Sequence, residues 1–274
     1  MPAYLPASWT RLIYYLEQWG VNIPRKDAWA RVIKRSFENV SYANGLVYID
    51  PQKPYVGYGY HDNIAVTGYD LMTSLVMHRG FVRAAELFKQ NASLETLSRW
   101  NELADGMKNN IWRLFDKEIS GFAAGSKDCH QFDVWANGLA YTYVTDEKMK
   151  KTIGEFYIMN KTRIFKYGFT RQIAEETGWQ RLLGRHESPV GIYMNGGFWA
   201  TGTGYVLPAL ADIDQQLAGD ILKDLLSNLP KYHYTEWVDM NGKESDAKRF
   251  LMAIALPMLG IKSLLENKPL IEYF

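Results

Sequence analysis

The sequence predicts an all-α fold in which helical hairpins stand side by side in a ring. Apolar residues recur every three or four positions along most of the chain, as they do on one face of an α-helix. The predicted helices form pairs with short joints, and longer loops rich in aromatic residues separate the pairs. Because a short joint makes two helices antiparallel, the long loops should gather at one end of the ring. We expect the functional site among these loops, since loops held on a rigid scaffold often carry function.

The first two helices are predicted from clear start and end signals. Ser8 can cap a helix over residues 8–19, and Gly20 can end it. Pro24 stands in the first turn of a second helix over residues 24–39. A very short joint connects these two helices, so they are expected to form the first hairpin.

Eight further helices are predicted in the same way, after a strand-like run at Leu46–Ile49. They pair as residues 67–90 with 93–115, 132–144 with 146–160, 197–211 with 215–229, and 246–259 with 261–267. The helices together make about five hairpins. No linker rich in serine or proline interrupts the chain, so we expect residues 1–274 to form one domain.

The composition excludes several classes of protein. The chain has 274 residues, of which 47% are apolar and 22% charged, so it is not intrinsically disordered. Its net charge of +1 gives no electrostatic footprint for nucleic acid. No apolar run reaches the ~20 residues of a membrane span, and no secretory leader opens the chain. We therefore expect no nucleic-acid or membrane partner and a cytoplasmic location.

Neither a metal nor a cofactor is expected. The single cysteine, Cys129, excludes a disulfide framework and is more typical of a buried thiol than of a nucleophile. The five histidines include no pair at i and i+4 on a helix. The unusual feature is the aromatic content of 14%, with 9 Trp and 18 Tyr. Tyr and Trp combine an apolar ring with a polar tip, so that some are expected to line a wet cavity.

The first candidate loop places a carboxylate among aromatic residues. Asp62 follows Tyr58, Tyr60 and His61. Aromatic surroundings desolvate a carboxyl group, which suits a general acid. The alternative is that Asp62 only caps a helix beginning near Ile64, because Asp is strongly preferred at that position.

Two later loops carry further candidates. Residues 193–199 combine Tyr193, Asn195 and Trp199 with two glycines, so that this segment can either bind and stack on a sugar or form a tight turn with core side chains. Glu236 precedes Trp237 in another aromatic loop. A loop Glu is often simply solvated, but an adjacent Trp is costly to leave in water.

Taken in order, these loops resemble the inverting (α/α)6-barrel glycosidases. This six-hairpin group includes trehalases, processing α-glucosidases and bacterial debranching-like enzymes. The resemblance covers the chain from about residue 41 to the C-terminus. It is carried by Gly45-Leu46, by Gly59-Tyr60-His61-Asp62-Asn63, by Tyr193-Met194-Asn195-Gly196-Gly197-Phe198-Trp199, and by Glu236-Trp237 followed by Asn241-Gly242. The family has Arg-Gly-Pro where this chain has Asn195, Gly196 and Gly197.

The resemblance implies a fold, a reaction and a set of site residues. The fold is an (α/α)6 toroid, which needs six hairpins, so that either the ring is incomplete here or the chain is the C-terminal part of a longer protein. The reaction is inverting hydrolysis of an oligosaccharide or glycoside, with Asp62 as general acid and Glu236 as general base ~6.5–9.5 Å apart. The implied carbohydrate-binding residues are Tyr60, His61, Asp133, Trp135, Tyr193, Asn195, Trp199 and Trp237. Asp133 is also a candidate substitute for the acid.

Two other functions stay open. The incomplete ring also suits a non-catalytic carbohydrate-binding or assembly module on the same toroid. A sugar epimerase would instead use His61 and His233 as acid and base. If the hairpin before the first helix is absent, Trp9, Leu12, Tyr15 and Trp19 form an apolar patch, which a second subunit of a homo-oligomer or a missing N-terminal domain would cover.

Overall fold

A computed structural model of the chain describes residues 2–184 and 188–274, and within them nine α-helices alternate between an inner and an outer ring. Their bounds are α1 Leu5–Gln18, α2 Lys26–Glu38, α3 Leu71–Leu87, α4 Leu94–Asn110, α5 Val134–Tyr141, α6 Glu147–Ile164, α7 Ala200–Ile213, α8 Gln215–Asn228 and α9 Met252–Glu266.

The odd-numbered helices form the inner ring. Helix α1 packs on α3, α3 on α5, α5 on α7 and α7 on α9, while each even-numbered helix packs on the helix before it. All eight residues of α5 and residues 200–210 of α7 are buried, whereas α8 buries only Ala218, Ile221 and Leu225. A helix that is apolar all round lies inside, and one with a single apolar stripe lies outside. The predicted all-α fold with paired helices is confirmed.

The last predicted pair forms one helix instead of two. Residues 246–259 and 261–267 were expected to be separate because of Gly260, yet α9 runs through Gly260 and Pro257. The reason is tertiary, since a Cβ at Gly260 would lie 2.7 Å from the carbonyl oxygen of Gly204. Without a Cβ, α9 approaches α7 closely. The described chain therefore has four hairpins and one unpaired inner helix.

Several helix starts also differ from the prediction; α9 begins at Met252 and not at residue 246, and α2 begins at Lys26 and not at Pro24. Helix α1 begins at Leu5, with a proline in its first turn, and not at Ser8. Helix α3 begins four residues later than expected, because Asp70 caps it by accepting a hydrogen bond from the amide of Thr73. Gly68, which was expected inside the helix, has a φ of +76° and lies in a strand.

Short antiparallel strands brace the loops between hairpins. Strands β1 (Tyr42–Ala43), β2 (Leu46–Ile49) and β3 (Gly68–Tyr69) form a sheet in that order, and the predicted strand Leu46–Ile49 is confirmed as β2. Two further hairpins pair β4 (Phe115–Asp116) with β5 (Gly121–Phe122) and β6 (Phe165–Lys166) with β7 (Phe169–Thr170).

The C-terminal segment closes the centre of the ring. A 3₁₀ turn at Leu270–Tyr273 packs on α9 and on α3. Phe274 stacks on Tyr205 of α7, with ring centroids 5.5 Å apart. The buried Arg83 of α3 donates hydrogen bonds to the main-chain oxygens of Glu272 and Phe274. This segment therefore forms the floor of the space between the inner helices.

Helix α1 exposes most of the expected apolar patch. Trp9, Leu12 and Trp19 are 48%, 46% and 75% exposed. Tyr15 is half-buried, and its ring stacks on Trp19. The expectation that a second subunit or a preceding domain covers this surface stays a prediction.

No described helix is both long enough and apolar enough to cross a membrane. Nor do three or more His, Cys, Asp or Glu side chains of residues 2–184 and 188–274 come together as a metal site.

Candidate active site

Three of the long loops meet at one cavity of about 380 Å³, which lies between α1 and α9. The loops contribute Tyr60, Asp62, Tyr193 and Glu236, and the segment after α9 contributes Phe274. Both predicted carboxyls thus line the same cavity, although 173 residues separate them in the chain. Further lining residues come from the inner helices, among them Tyr4, Ala7, Ser8, Arg11, Tyr205, Met252 and Leu256.

Backbone hydrogen bonds hold the second and third loops together. The amide of Phe198 donates to the carbonyl of Val238 (2.8 Å), and the amide of Val238 donates back to Phe198 (2.9 Å). The amide of Glu236 also donates to the carbonyl of Ala247 (2.9 Å). These bonds fix the position of Glu236 relative to the segment that carries Tyr193.

Asp62 lies between two anchored residues. It follows a 3₁₀ turn, Gly59–His61, and Nε2 of the buried His61 donates to Oδ2 of Asp133 at 2.8 Å. On the other side, the side-chain amide of the buried Asn63 donates to Oγ of Ser188 at 2.9 Å. The Asp62 side chain is thereby presented to the cavity by a turn that is tied down at both ends.

The alternative for Asp62, that it caps a helix beginning near Ile64, is wrong. No α-helix begins there in the described structure, and the cap of the next helix is Asp70. The hydroxyl of Tyr193 instead donates to Oδ2 of Asp62 at 2.8 Å. Tyr193 has a φ of +50°, and such a strained backbone conformation is typical of functional loops.

Glu236 is half-buried, and burial and then the negative charge of Asp62 raise the pKa of its carboxyl. Within residues 2–184 and 188–274, its side chain accepts no hydrogen bond, so it does not hold its own loop. Burial and the charges of both Asp62 and Glu236 raise the pKa of Tyr193. The two carboxyls and Tyr193 therefore form one electrostatic group.

The predicted aromatic residues form two layers. Tyr60 and Tyr193 line the cavity directly. Trp135 and Trp199 are fully buried behind them, edge-on to the ring of Tyr60 at 5.6 and 5.9 Å between centroids. Trp237 is half-buried beside Tyr193, with ring centroids 6.3 Å apart.

Three polar residues expected to bind the substrate also lie behind the cavity wall. Asp133 is completely buried, and it accepts hydrogen bonds from His61 and from two amides at the start of α5. Asn195 is buried, and its side chain accepts from the amide of Trp179 and donates to the carbonyl of Ser188. His61, Asp133 and Asn195 thus hold the loops in place through these hydrogen bonds to the protein.

The two histidines of the epimerase hypothesis do not meet. His61 is buried; burial by itself would lower its pKa, but the hydrogen bond and charge of Asp133 outweigh burial and raise it. His233 lies on the surface, and its Nδ1 is 3.0 Å from Glu244. Neither histidine is among the described residues that line the cavity.

The contributions of α1 and of the C-terminus to the cavity were not predicted from the sequence. Tyr4, Ala7, Ser8 and Arg11 line the cavity, and their spacing of three and four is a helical face that the sequence displays. Phe274 had no such signal, since it reaches the cavity only through the packing of the C-terminal turn.

Comparisons with known proteins find similarity in structure only. No protein-family model matches the chain, and no curated protein matches its sequence. Among solved structures, an uncharacterized conserved protein from Thermus thermophilus is similar with a TM-score of 0.51 and 14% identity, over 69% of this chain and 46% of that chain. The GH63 mannosylglycerate hydrolase from the same organism gives 0.50 and 14% in its complex with Tris, over 69% and 44%. Its complex with Tris and D-glycerate gives the same score and identity, over 69% and 45%.

The chain spans less than half the length of these similar structures. At 14% identity the likeness concerns the fold. The predicted resemblance to the helical toroid of the six-hairpin glycosidases is thus confirmed at the level of the fold.

Proposed function

We propose that this chain is an inverting glycoside hydrolase in which Asp62 is the general acid and Glu236 is the general base. The observation that carries the proposal is that these two carboxyls, from loops far apart in sequence, line one cavity with aromatic walls. Both carboxyls share this cavity with Tyr193, whose hydroxyl donates to Oδ2 of Asp62 at 2.8 Å. This reaction requires two carboxyls on opposite sides of the sugar, one as general acid and one as general base.

In the proposed reaction, Asp62 donates its proton to the oxygen of the leaving group as the glycosidic bond breaks. Glu236 takes a proton from a water molecule, which attacks the anomeric carbon from the opposite face. The Tyr193 hydroxyl, bonded to Oδ2 of Asp62, would orient that carboxyl. Tyr60 and Tyr193 offer aromatic surfaces against which the apolar face of a sugar can pack, and Trp237 supports the ring of Tyr193.

The comparisons support a substrate of the carbohydrate class. Two of the similar structures are of a mannosylglycerate hydrolase, one of them with D-glycerate bound. Because the shared feature is the fold, the proposal for this chain extends to glycosides as a class and to no single sugar.

The proposal is tested by removing each carboxyl without changing the shape of its side chain. Turnover and sugar affinity are measured for wild type, Asp62→Asn and Glu236→Gln on a panel of aryl glycosides and oligosaccharides. Glu244→Gln is the matched control, because Glu244 lies on the same hairpin but pairs with His233 and Lys248. We expect turnover to fall at least ~10²-fold in the first two variants, with little change in affinity.

Melting temperatures separate catalysis from folding. Because the Glu236 carboxylate accepts no hydrogen bond from the described residues, Glu236→Gln should melt close to wild type. Full activity in Glu236→Gln would refute the proposed base. Sugar binding without turnover in wild type would favour the non-catalytic module. Retention of configuration in the product, measured by NMR, would contradict the inverting mechanism.

A further inference from the structure

Arg11 is the one cation among the described residues that line the candidate cavity. It is half-buried on the face of α1 that also presents Tyr4, Ala7 and Ser8. Its guanidinium carbon lies 4.9 Å from the centroid of the Phe274 ring. This cation–π contact holds the head group in place beneath the cavity.

No protein anion neutralises Arg11 within the described chain. No carboxylate of residues 2–184 and 188–274 lies within 4.0 Å of its guanidinium. Arg83, its neighbour on α3, differs because it donates to the main-chain oxygens of Glu272 and Phe274. The guanidinium of Arg11 is therefore available to an anionic ligand in the cavity.

Arg11 and Tyr4 both lie on the face of α1 that lines the cavity. Burial and then the charge of Asp62 raise the pKa of Tyr4. Arg11 follows seven residues later on α1, about 10 Å farther along the helix axis at 1.5 Å per residue. There it neighbours the buried Tyr58. Burial raises the pKa of Tyr58 to about 12, and the charge of Arg11 acts in the opposite direction.

The raised pKa of Glu236 results from burial and Asp62, so Arg11 does not serve as its counter-charge. The hydroxyls of Tyr58 and Tyr205 hydrogen-bond each other beside Arg11. Arg11, Tyr58, Tyr205 and Phe274 all line the cavity, and we call the part that they line its inner end.

We propose that the substrate carries an anionic group, a carboxylate or a phosphate, on the sugar residue that enters the inner end of the cavity, where Arg11 binds it. This inference rests on the proposed function, because it names the substrate class of the same site. The planar guanidinium matches two oxygens of a carboxylate or phosphate, which a neutral hydroxymethyl group cannot replace.

The test uses substrates that differ only at the exocyclic carbon of the sugar. Both anomers of nitrophenyl glucoside, of nitrophenyl glucuronide and of the glucoside phosphorylated at its primary hydroxyl are compared by kcat/KM. The carboxylate and phosphate arms distinguish the two sources of charge. We expect wild type to prefer one anionic substrate, and Arg11→Gln to lower the anionic-to-neutral ratio by about 10- to 100-fold, as loss of a charge-assisted hydrogen bond would.

Two further variants sharpen the comparison. Arg11→Lys keeps the charge but not the planar fork, so it should retain only part of the preference. Arg113→Gln is the control, because Arg113 is an exposed arginine over a tryptophan ring outside the cavity. Its anionic-to-neutral ratio should equal that of wild type.

Calorimetry keeps the inference independent of turnover. Binding of glucuronate, of glucose phosphorylated at its primary hydroxyl and of glucose is measured for wild type and Arg11→Gln. Anion binding that depends on Arg11 without any hydrolysis would support the anionic site and overturn the hydrolase. Hydrolysis with an unchanged ratio in Arg11→Gln would overturn the anionic site and leave the hydrolase standing. A lower melting temperature of Arg11→Gln with unchanged binding would make Arg11 structural and also overturn the inference.

Discussion

Replacing Gly204 by alanine tests whether the close contact of α7 with α9 stabilises the ring. A Cβ at Gly204 would lie 2.3 Å from the backbone of Leu256, whereas ordinary contacts begin at 3.4 Å. The backbone of α9 is not the flexible end of a side chain, so the two helices must separate by about 1 Å. Overpacking of this kind costs about 1–3 kcal/mol, which exceeds the gain of up to about 1 kcal/mol from the helix propensity of alanine.

Gly219 provides a matched control in α8. A Cβ there meets nothing within 4 Å, so Gly219→Ala changes only helix propensity. The free energy of unfolding is measured by urea denaturation of both variants and of wild type. We expect Gly204→Ala to be less stable than wild type by about 1–3 kcal/mol and Gly219→Ala to be more stable by up to about 1 kcal/mol. If the free energy of unfolding changed in the same direction in both variants, the contact of α7 with α9 would not limit how closely these helices pack.

Three other predictions concern ionisable groups. Because the proposed base must be ionised, kcat/KM should rise with pH through the raised pKa of Glu236, and a pH-rate profile that is flat on the acid side would refute this. His61 has a raised pKa in the folded protein, so its hydrogen bond to Asp133 should stabilise the fold fully below pH 6.5. This stabilisation should be lost as the pH rises through the raised pKa. The difference in melting temperature between wild type and His61→Gln should therefore become smaller as the pH is raised. Burial raises the pKa of Cys129 to about 12, so iodoacetamide should label it in urea but not in the native protein at neutral pH, as mass spectrometry can check.

Local signals account for the parts of the fold that the sequence predicted. Apolar residues at helical spacing identified the four hairpins, and a run of β-branched and aromatic residues identified Leu46–Ile49. Gly260 was misjudged because a helical glycine that ends a helix and one that lets two helices approach look alike in sequence. Only the position of Gly204 on the facing helix distinguishes the two cases.

The candidate site, like the fold, contains some residues that were predicted from the sequence and others that were not. Asp62 and Glu236 were recognised because each stands beside aromatic residues in a long loop, and both line the cavity. Asp133 was assigned to the substrate, although an Asp directly before a helix is also a cap, and the structure uses it so. Arg11 and Phe274 come from opposite ends of the chain, and only the packing of the folded chain brings them together.

The high aromatic content has one physical cause in the centre of the ring. Inner helices that surround a cavity leave a wide space, which only large side chains fill. Tyr60 lies edge-on to Trp135, Trp135 stacks on Tyr205 at 5.9 Å, and Tyr205 stacks on Phe274 at 5.5 Å. This aromatic column runs from the loop that carries Asp62 to the floor beside Arg11.

For the aromatic residues of this column, packing in the core and shaping the cavity are not alternatives. Trp135 is fully buried, yet it supports Tyr60, which faces the cavity. Each ring thus fills part of the centre of the fold. Each ring also either lines the cavity or supports a ring that lines it. Because the same contacts stabilise the ring of helices and set the position of the cavity wall, truncating any ring of the column should change stability and ligand affinity together.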